Sequence, residues 1–293
     1  MALIPGLGAR GGTTPPEPRA SAPVPVSGTI GRFRLLERIG AGAFGAVFKA
    51  ADPENGGRLV AVKTCSLGED GHARFVREAR LAGGLKHPNI TPVYESGMHE
   101  GTPFMVQELL GGRDLTALLL ERQPYTLEEK LRILVGVAEG LDYAHQRGVI
   151  HRDIKPSNVR VLDDGTARIM DYGIAKTISS QTGMTRAGMS VGTIGYMSPE
   201  QVLGEPIGPH TDIFLLGALA YEMLSFQPAF RHPNLFRLME MILEEDPHPL
   251  IDVAPSVPTE LAAAVAKAMQ KRPDDRFASA AEFRDAIMRT GSA

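Results

Sequence analysis

Residues His151-Arg152-Asp153-Ile154-Lys155-Pro156-Ser157-Asn158 gather an imidazole, two cations, a carboxylate and an amide directly after the apolar pair Val149-Ile150. An ordinary charged loop gives no reason for that density. Asp153 can accept a proton from a hydroxyl. Asn158 can offer its amide oxygen to a hard cation. Lys155 can steady a phosphoryl group in transfer. Further on, Asp171-Tyr172-Gly173 follows Ala167-Arg168-Ile169-Met170, a predicted strand. That tripeptide alone reads as a turn. At the end of a strand, its carboxylate Asp171 can share a magnesium ion with Asn158.

Two motifs nearer the start suit phosphate. Gly40-Ala41-Gly42-Ala43-Phe44-Gly45-Ala46-Val47 has the pattern G-x-G-x-x-G-x-V. Glycines let the backbone turn tightly and come close to a ligand. A glycine-rich turn, a dinucleotide fingerprint and a phosphate-covering flap all share this pattern. The dinucleotide reading needs a helix straight after the glycines, whereas Ala46-Val47-Phe48 continues as a strand, so a strand–loop–strand flap fits better. Val60-Ala61-Val62-Lys63 ends an apolar strand on an ammonium. That lysine is either a snorkelling edge residue or a phosphate contact. The second role needs an acidic partner, and Glu78 on the following helix can supply one. Alone, Glu78 reads as a surface helix residue.

These groups must be carried by elements. Residues 30–65 read as three antiparallel strands, with Ala51-Asp52-Pro53-Glu54-Asn55-Gly56-Gly57 as a hairpin loop. A helix is predicted over 73–84 and strand-like pieces over 90–94 and 104–110. Beyond Gly111-Gly112 the pattern turns helical. Thr126 and Glu129 form a capping box ahead of Leu127, Leu131, Leu134, Val137 and Leu141 at helical spacing. The apolar stretch 213–224 is too short to span a bilayer and reads as a buried core helix. Further helices are predicted over 259–269 and after a Ser279/Glu282 box. Residues 1–30, rich in Gly, Pro, Ala, Ser and Thr and without an aromatic, read as a disordered tail.

Composition narrows the setting. The chain has 293 residues with 43% hydrophobic, enough for a large core without staples. Its formal net charge of −3 argues against nucleic acid or a polybasic membrane contact. Cys65 is its single cysteine, so no internal disulfide can form and a reducing compartment is favoured. The scattered histidines show no zinc-type spacing. The expectation is a soluble, cytoplasmic protein.

In this order, the segments resemble a eukaryotic-type protein kinase domain, most of all its bacterial Ser/Thr branch, over about residues 31–288. Ser198-Pro199-Glu200 stands where the family has Ala-Pro-Glu, Asp212 opens the buried helix, and Arg276 matches the arginine that pairs with that glutamate. The resemblance implies an α+β bilobal fold: a small antiparallel β-rich lobe with one main helix at 31–108, and a larger, mainly α lobe at 109–290, hinged near Leu109. It implies ATP and magnesium, or manganese in its place, as cofactors, and protein Ser/Thr hydroxyls as acceptors. Gly40, Gly42 and Gly45, with Ala41, Ala43 and Phe44 between them, would cover the phosphates, with Ile39, Val47 and Ala61 also lining the nucleotide. Lys63 would contact the α- and β-phosphates and pair with Glu78. Asp153 would be the catalytic base, Lys155 would meet the γ-phosphate, and Asn158 and Asp171 would hold the metal. Gln107 takes the gatekeeper position, and Glu108 to Leu110 the hinge facing adenine.

Further implications concern substrates and control. Lys155 after Asp153, the loop at Gly192-Thr193 and the Ser-Pro-Glu segment favour protein over small-molecule acceptors. Thr193 would bridge Asp153 and Lys155. Arg152 before Asp153 implies activation by phosphorylation of the loop, where Thr185 best matches the phosphosite and Thr182 and Ser190 are further candidates. Forkhead-associated domain proteins are implied substrates. Tyr172 replaces the family's Phe and adds a hydroxyl that needs a partner if buried. The alternative function is a pseudokinase or scaffold. Bacterial relatives often continue into a membrane helix and a sensor; this length leaves room for neither, so a longer native chain could be membrane-tethered.

Overall fold

The computed structural model describes residues 24–42, 45–66, 69–172 and 194–290; the side chains of Val24, Gly42, Glu69, Asp70, Ala73, Arg74 and Glu78 fall outside that description. Ala43, Phe44, Thr182, Thr185, Ser190 and Thr193 therefore lie outside the described residues.

The first half is an antiparallel sheet. Its strands are β1 (Val24–Pro25), β2 (Thr29–Ile30), β3 (Phe33–Gly42), β4 (Gly45–Asp52), β5 (Arg58–Thr64), β6 (Val93–His99) and β7 (Thr102–Glu108). They run in the order β1-β3-β4-β5-β7-β6, with β2 added on β3. The hairpin loop after β4 makes one 3-10 turn at Pro53–Asn55 and leaves it through Gly56, at φ 68°. Pairing begins at Val24, which opposes Arg38, and Ile30 is buried. Residues 24–30, at the end of the stretch read as tail, thus include residues paired into the sheet.

Alternation along the strands sorts the sheet into two faces. Val60, Val62, Phe104 and Val106 turn to one side, where they pack with Ile30, Phe33 and Ala50. Cys65 and Met105 join Phe75 and Ala79 of helix α1 (Glu69–Gly83) on the other. Cys65 is a buried core filler.

The expected strand over 90–94 is corrected. Ile90 makes only an isolated parallel bridge to Ile169, and β6 starts at Val93. Pro92 lies inside the piece and Pro88 just before it, and neither has an N–H to give a ladder. Its hydrogen bonds go instead to the second half: Ile169 N–H donates to Asn89 O at 2.8 Å and Thr91 N–H to Ile169 O at 2.9 Å.

The second half is mainly helical: α2 (Leu115–Leu120), α3 (Leu127–His145), α4 (Pro199–Leu203), α5 (Pro209–Ser225), α6 (Leu235–Glu244), α7 (Leu250–Val253), α8 (Thr259–Ala268) and α9 (Ala280–Thr290). A small sheet of β8 (Arg113–Asp114), β9 (Val159–Val161) and β10 (Ala167–Ile169) carries the loops of interest. α5 is buried nearly all round, from Thr211 through Leu224, as an apolar stretch without a polar face should be. The Thr126/Glu129 capping box is present at α3. At α9, Glu282 N–H donates to Ser279 Oγ, but the Glu282 carboxylate accepts from Ala278 rather than from Ser279 itself.

Candidate active site

Sheet register aims the groups of the first lobe. In β5 and β7, Lys63 opposes Met105 and Ala61 opposes Gln107; in β4, Val47 opposes Lys63. Opposed residues share a face, so Val47, Ala61, Lys63 and Gln107 all point to the same side. At its far end the β3–β4 hairpin pairs Gly40 with Val47 and Gly42 with Gly45, and Ile39 falls at a register shift beside Gly40. Gly45 has two reasons to be glycine. Its φ is +148°, and a Cβ there would stand 1.9 Å from the Thr64 carbonyl oxygen. At Gly40 the nearest atom to an added Cβ is 3.5 Å away on Val47, an ordinary contact.

The Lys63 ammonium lies 2.8 Å from Asp171 Oδ1. This pair joins the two lobes. The Glu78 side chain, its expected partner, lies outside the described residues. At the hinge, Glu108 N–H donates to Pro92 O at 3.0 Å, and Leu110 follows, half-buried.

Asp153, Lys155 and Asn158 form one cluster. Asp153 is buried at 8% exposure. Its Oδ2 accepts from Asn158 Nδ2 at 2.9 Å and meets Lys155 Nζ at 2.8 Å. Asn158 Nδ2 also donates to the Asp153 carbonyl at 2.7 Å. With its donor end committed to Asp153, the Asn158 amide keeps its carbonyl oxygen for another partner. Met170 N–H donates to the Asn158 carbonyl at 2.9 Å, which ties this turn to the residue just before Asp171.

The backbone that carries the cluster is held by Asp212, fully buried at the start of α5. Its Oδ2 accepts from His151 N–H at 2.7 Å and contacts His145 Nε2 at 2.8 Å, while Oδ1 accepts from Arg152 N–H at 2.7 Å. Burial would push this carboxyl up, but the hydrogen bond from His145, the charges of His145 and His151 and the His151 N–H hold it below the usual range. Burial lowers His151 in turn. Its Nε2–H donates to Met170 O at 2.8 Å and its Nδ1 accepts from Asp153 N–H at 3.2 Å. The Tyr172 ring meets the same imidazole edge-on at 4.7 Å, and its hydroxyl donates to Gly140 O at 3.4 Å. The added hydroxyl has its partner.

A second buried charge pair lies behind. Arg276 grips Glu200 with two parallel hydrogen bonds, Nη1–Oε1 at 2.9 Å and Nη2–Oε2 at 3.0 Å. Thr211 Oγ1 adds a third at 2.7 Å, and the remaining Arg276 donors reach the carbonyls of His210, Gln270 and Lys271. This is the pairing expected of Arg276. His145 went unnoticed in the sequence: it is a lone imidazole 67 positions from Asp212, and no local pattern marks it.

A divalent metal with ATP is what this donor set would suit. Among the described residues no three His, Cys, Asp or Glu side chains gather as a closed metal site. Asn158 and Asp171 instead offer two protein oxygens. Magnesium typically keeps several waters and takes one or two carboxylates plus phosphates, so the pair fits an ion carried in with a nucleotide.

Comparison with known proteins gives the same frame. The family described as "Protein kinase domain" matches residues 33–286. A probable serine/threonine-protein kinase of Corynebacterium efficiens is 35% identical over 86% of this chain and 40% of its own. PknB of Corynebacterium glutamicum, a probable serine/threonine-protein kinase, is 36% identical over 86% of this chain and 41% of its own. Serine/threonine-protein kinase PknF of Mycobacterium tuberculosis is 34% identical over 90% of this chain and 57% of its own. The chain thus spans roughly two to three fifths of the relatives it matches.

Proposed function

Because this chain belongs to the protein kinase domain family, we propose that it transfers the γ-phosphoryl group of ATP to Ser or Thr hydroxyls of protein substrates. The observation that carries the proposal is the buried Asp153 carboxylate, held by Asn158 and flanked by Lys155, on a loop fixed to Asp212. A substrate hydroxyl that reaches Asp153 gives up its proton there. Lys155 neutralises the γ-phosphoryl oxygens as charge moves. Lys63 takes the α- and β-phosphates, and Gly40, Gly42 and Gly45 bring backbone N–H groups over them. Asn158 and Asp171 would hold magnesium, which would offset the negative charge of the phosphates. Gln107 closes the back of the nucleotide site, and Glu108 to Leu110 offer backbone groups to adenine. Positioning and charge stabilisation supply the rate in such transfers.

Residues 31–290 are proposed to act as one unit, with the first lobe ending at Glu108. Phosphorylation at Thr185, with Thr182, Ser190 and Thr193 nearby, is proposed to order the loop through Arg152; mass spectrometry of active enzyme that finds no phosphate there would remove this part. Forkhead-associated domain proteins are proposed substrates by the bacterial resemblance. A cytoplasmic setting is proposed as well; among the described residues no helix is long and apolar enough to cross a membrane.

The test is transfer from radiolabelled ATP to a generic protein substrate by wild type and by Asp153→Ala. Incorporation by wild type and a loss of at least about a hundredfold in the variant are expected. Equal incorporation by both, or none by wild type with a phosphorylated loop, would overturn the proposal.

A further inference from the structure

Gln201 in α4 reaches the loop that carries Asp153 across 49 positions of sequence. The two ends of its side-chain amide have different partners. Oε1 accepts from the Ser198 N–H at 3.1 Å and closes the capping box of α4. Nε2 donates to the Arg152 carbonyl at 2.7 Å. A cap needs only the oxygen, and glutamate supplies it equally well. The nitrogen is the feature that the cap leaves unexplained.

Arg152 stands at φ +69°, a left-handed conformation that side chains other than glycine adopt only when their surroundings enforce it. Its N–H is held by Asp212. Its carbonyl shares a peptide plane with the N–H of Asp153, which donates to His151 Nδ1. That plane sets the direction in which Asp153 leaves the backbone. It is gripped at one edge by His151 and at the other by Gln201. The grip from Gln201 is itself anchored, since the preceding residue, Glu200, is locked to Arg276 and Thr211.

We propose that Gln201 is a positioning residue: through Nε2 it fixes the Arg152–Asp153 peptide plane and so couples α4 to the aim of the Asp153 carboxylate. The catalytic consequence rests on the reading of Asp153 as the base; the structural coupling does not.

Three variants separate the two ends of the amide. Gln201→Glu keeps an acceptor for Ser198 but turns an oxygen toward the Arg152 carbonyl. Gln201→Lys keeps a donor and gives up the acceptor. Gln201→Met gives up both. Each is measured for kcat, KM for ATP, thermal unfolding and hydrogen–deuterium exchange of the backbone at 151–155. Loss of the donor, in Gln201→Glu and Gln201→Met, should lower kcat about tenfold with KM for ATP within about twofold. Exchange at the Asp153 amide should quicken in the same two. Gln201→Lys should keep kcat within about threefold of wild type and slow exchange at Asp153, while its Tm falls as that of Gln201→Met does. Losses of kcat that track Tm across all three would reduce Gln201 to a helix cap and overturn the proposal. Unchanged exchange at Asp153 in Gln201→Glu would overturn it equally. Exchange can be read without turnover, so an inactive wild type would sink the kinase reading while exchange still decides the coupling.

Discussion

In the sheet, Lys63 is aimed by register, with Val47 and Met105 opposed to it on neighbouring strands. Its ammonium and its partner Asp171 stay partly exposed, at 19% and 34%. In the helical half, Asp153 is aimed by its backbone, which hangs on a carboxylate with no exposure at all. Register fixes where a side chain starts and leaves its tip free to follow a ligand. Buried hydrogen bonds fix the whole loop before any ligand arrives. The first arrangement should tolerate change at the functional tip without loss of fold. The second should fail as a unit, because each lost partner strands a buried polar group.

The largest break is expected at Asp212. Asp212→Ala orphans the N–H groups of His151 and Arg152 and the His145 ring. Urea unfolding should show a loss of about 3–5 kcal/mol, with transfer abolished in whatever remains folded. Stability near wild type would show that the loop is held by other means.

Next comes the glycine pair in the flap. Gly45→Ala drives a Cβ into the Thr64 carbonyl and should cost about 2–3 kcal/mol. Gly40→Ala, which meets only Val47 at 3.5 Å, should stay within about 0.5 kcal/mol. Equal effects would mean that the flap relaxes freely.

Acid should then weaken the helical half. Burial pushes Asp212 and Glu200 up, but the hydrogen bonds and charges of His145 and His151 on one, and of Arg276 on the other, leave both below their ordinary values. A carboxyl lowered by folding adds stability that is complete above its unfolded pKa, about 4, and is lost as pH falls through the folded value. Unfolding midpoints taken down through this range should drop, and Asp212→Asn should flatten part of the drop. Lys271 acts in the opposite direction. Burial against Phe230 and the end of α6 lowers it from 10.5 to about 8. The folded state therefore disfavours its charged form, and stability should rise as pH climbs from about 8 toward the unfolded value. Lys271→Met should erase that rise.

Lys63, like Gly40, belongs with the small effects on folding. Lys63→Met removes one half-exposed pair and should change stability by under about 1 kcal/mol, while transfer falls steeply. A large loss of stability would place Lys63 with the buried groups and dissolve the contrast between the lobes.

Much of the site was legible as sequence because its parts are local. Asp153, Lys155 and Asn158 lie within one turn, and their mutual hydrogen bonds span few residues. Val60-Ala61-Val62-Lys63 read as an apolar strand that ends on an ammonium. The Thr126/Glu129 box read directly from spacing and the buried helix from the apolar stretch 213–224, while the place of Asp212 at its start came from the family resemblance. Ser198 and Gln201 fit the capping pattern, yet only the oxygen end of Gln201 follows from it; the nitrogen end lands on Arg152, far along the chain. The strand expected at 90–94 failed for a similar reason. Its apolar residues looked like one strand, while Ile90 bridges to Ile169 of β10 and β6 starts only at Val93.

Residue types and short spacings determined which groups were expected to meet phosphate and a hydroxyl, since that expectation depends on side-chain chemistry and on contacts a few residues apart. Only the folded chain decided how these groups are held. Asp212 collects its donors from His145, His151 and Arg152, and Lys63 meets Asp171 across the two lobes. Hydrogen bonds and ion pairs act over about 3 Å of space, and no pattern of neighbours along the chain encodes which distant partner will arrive there.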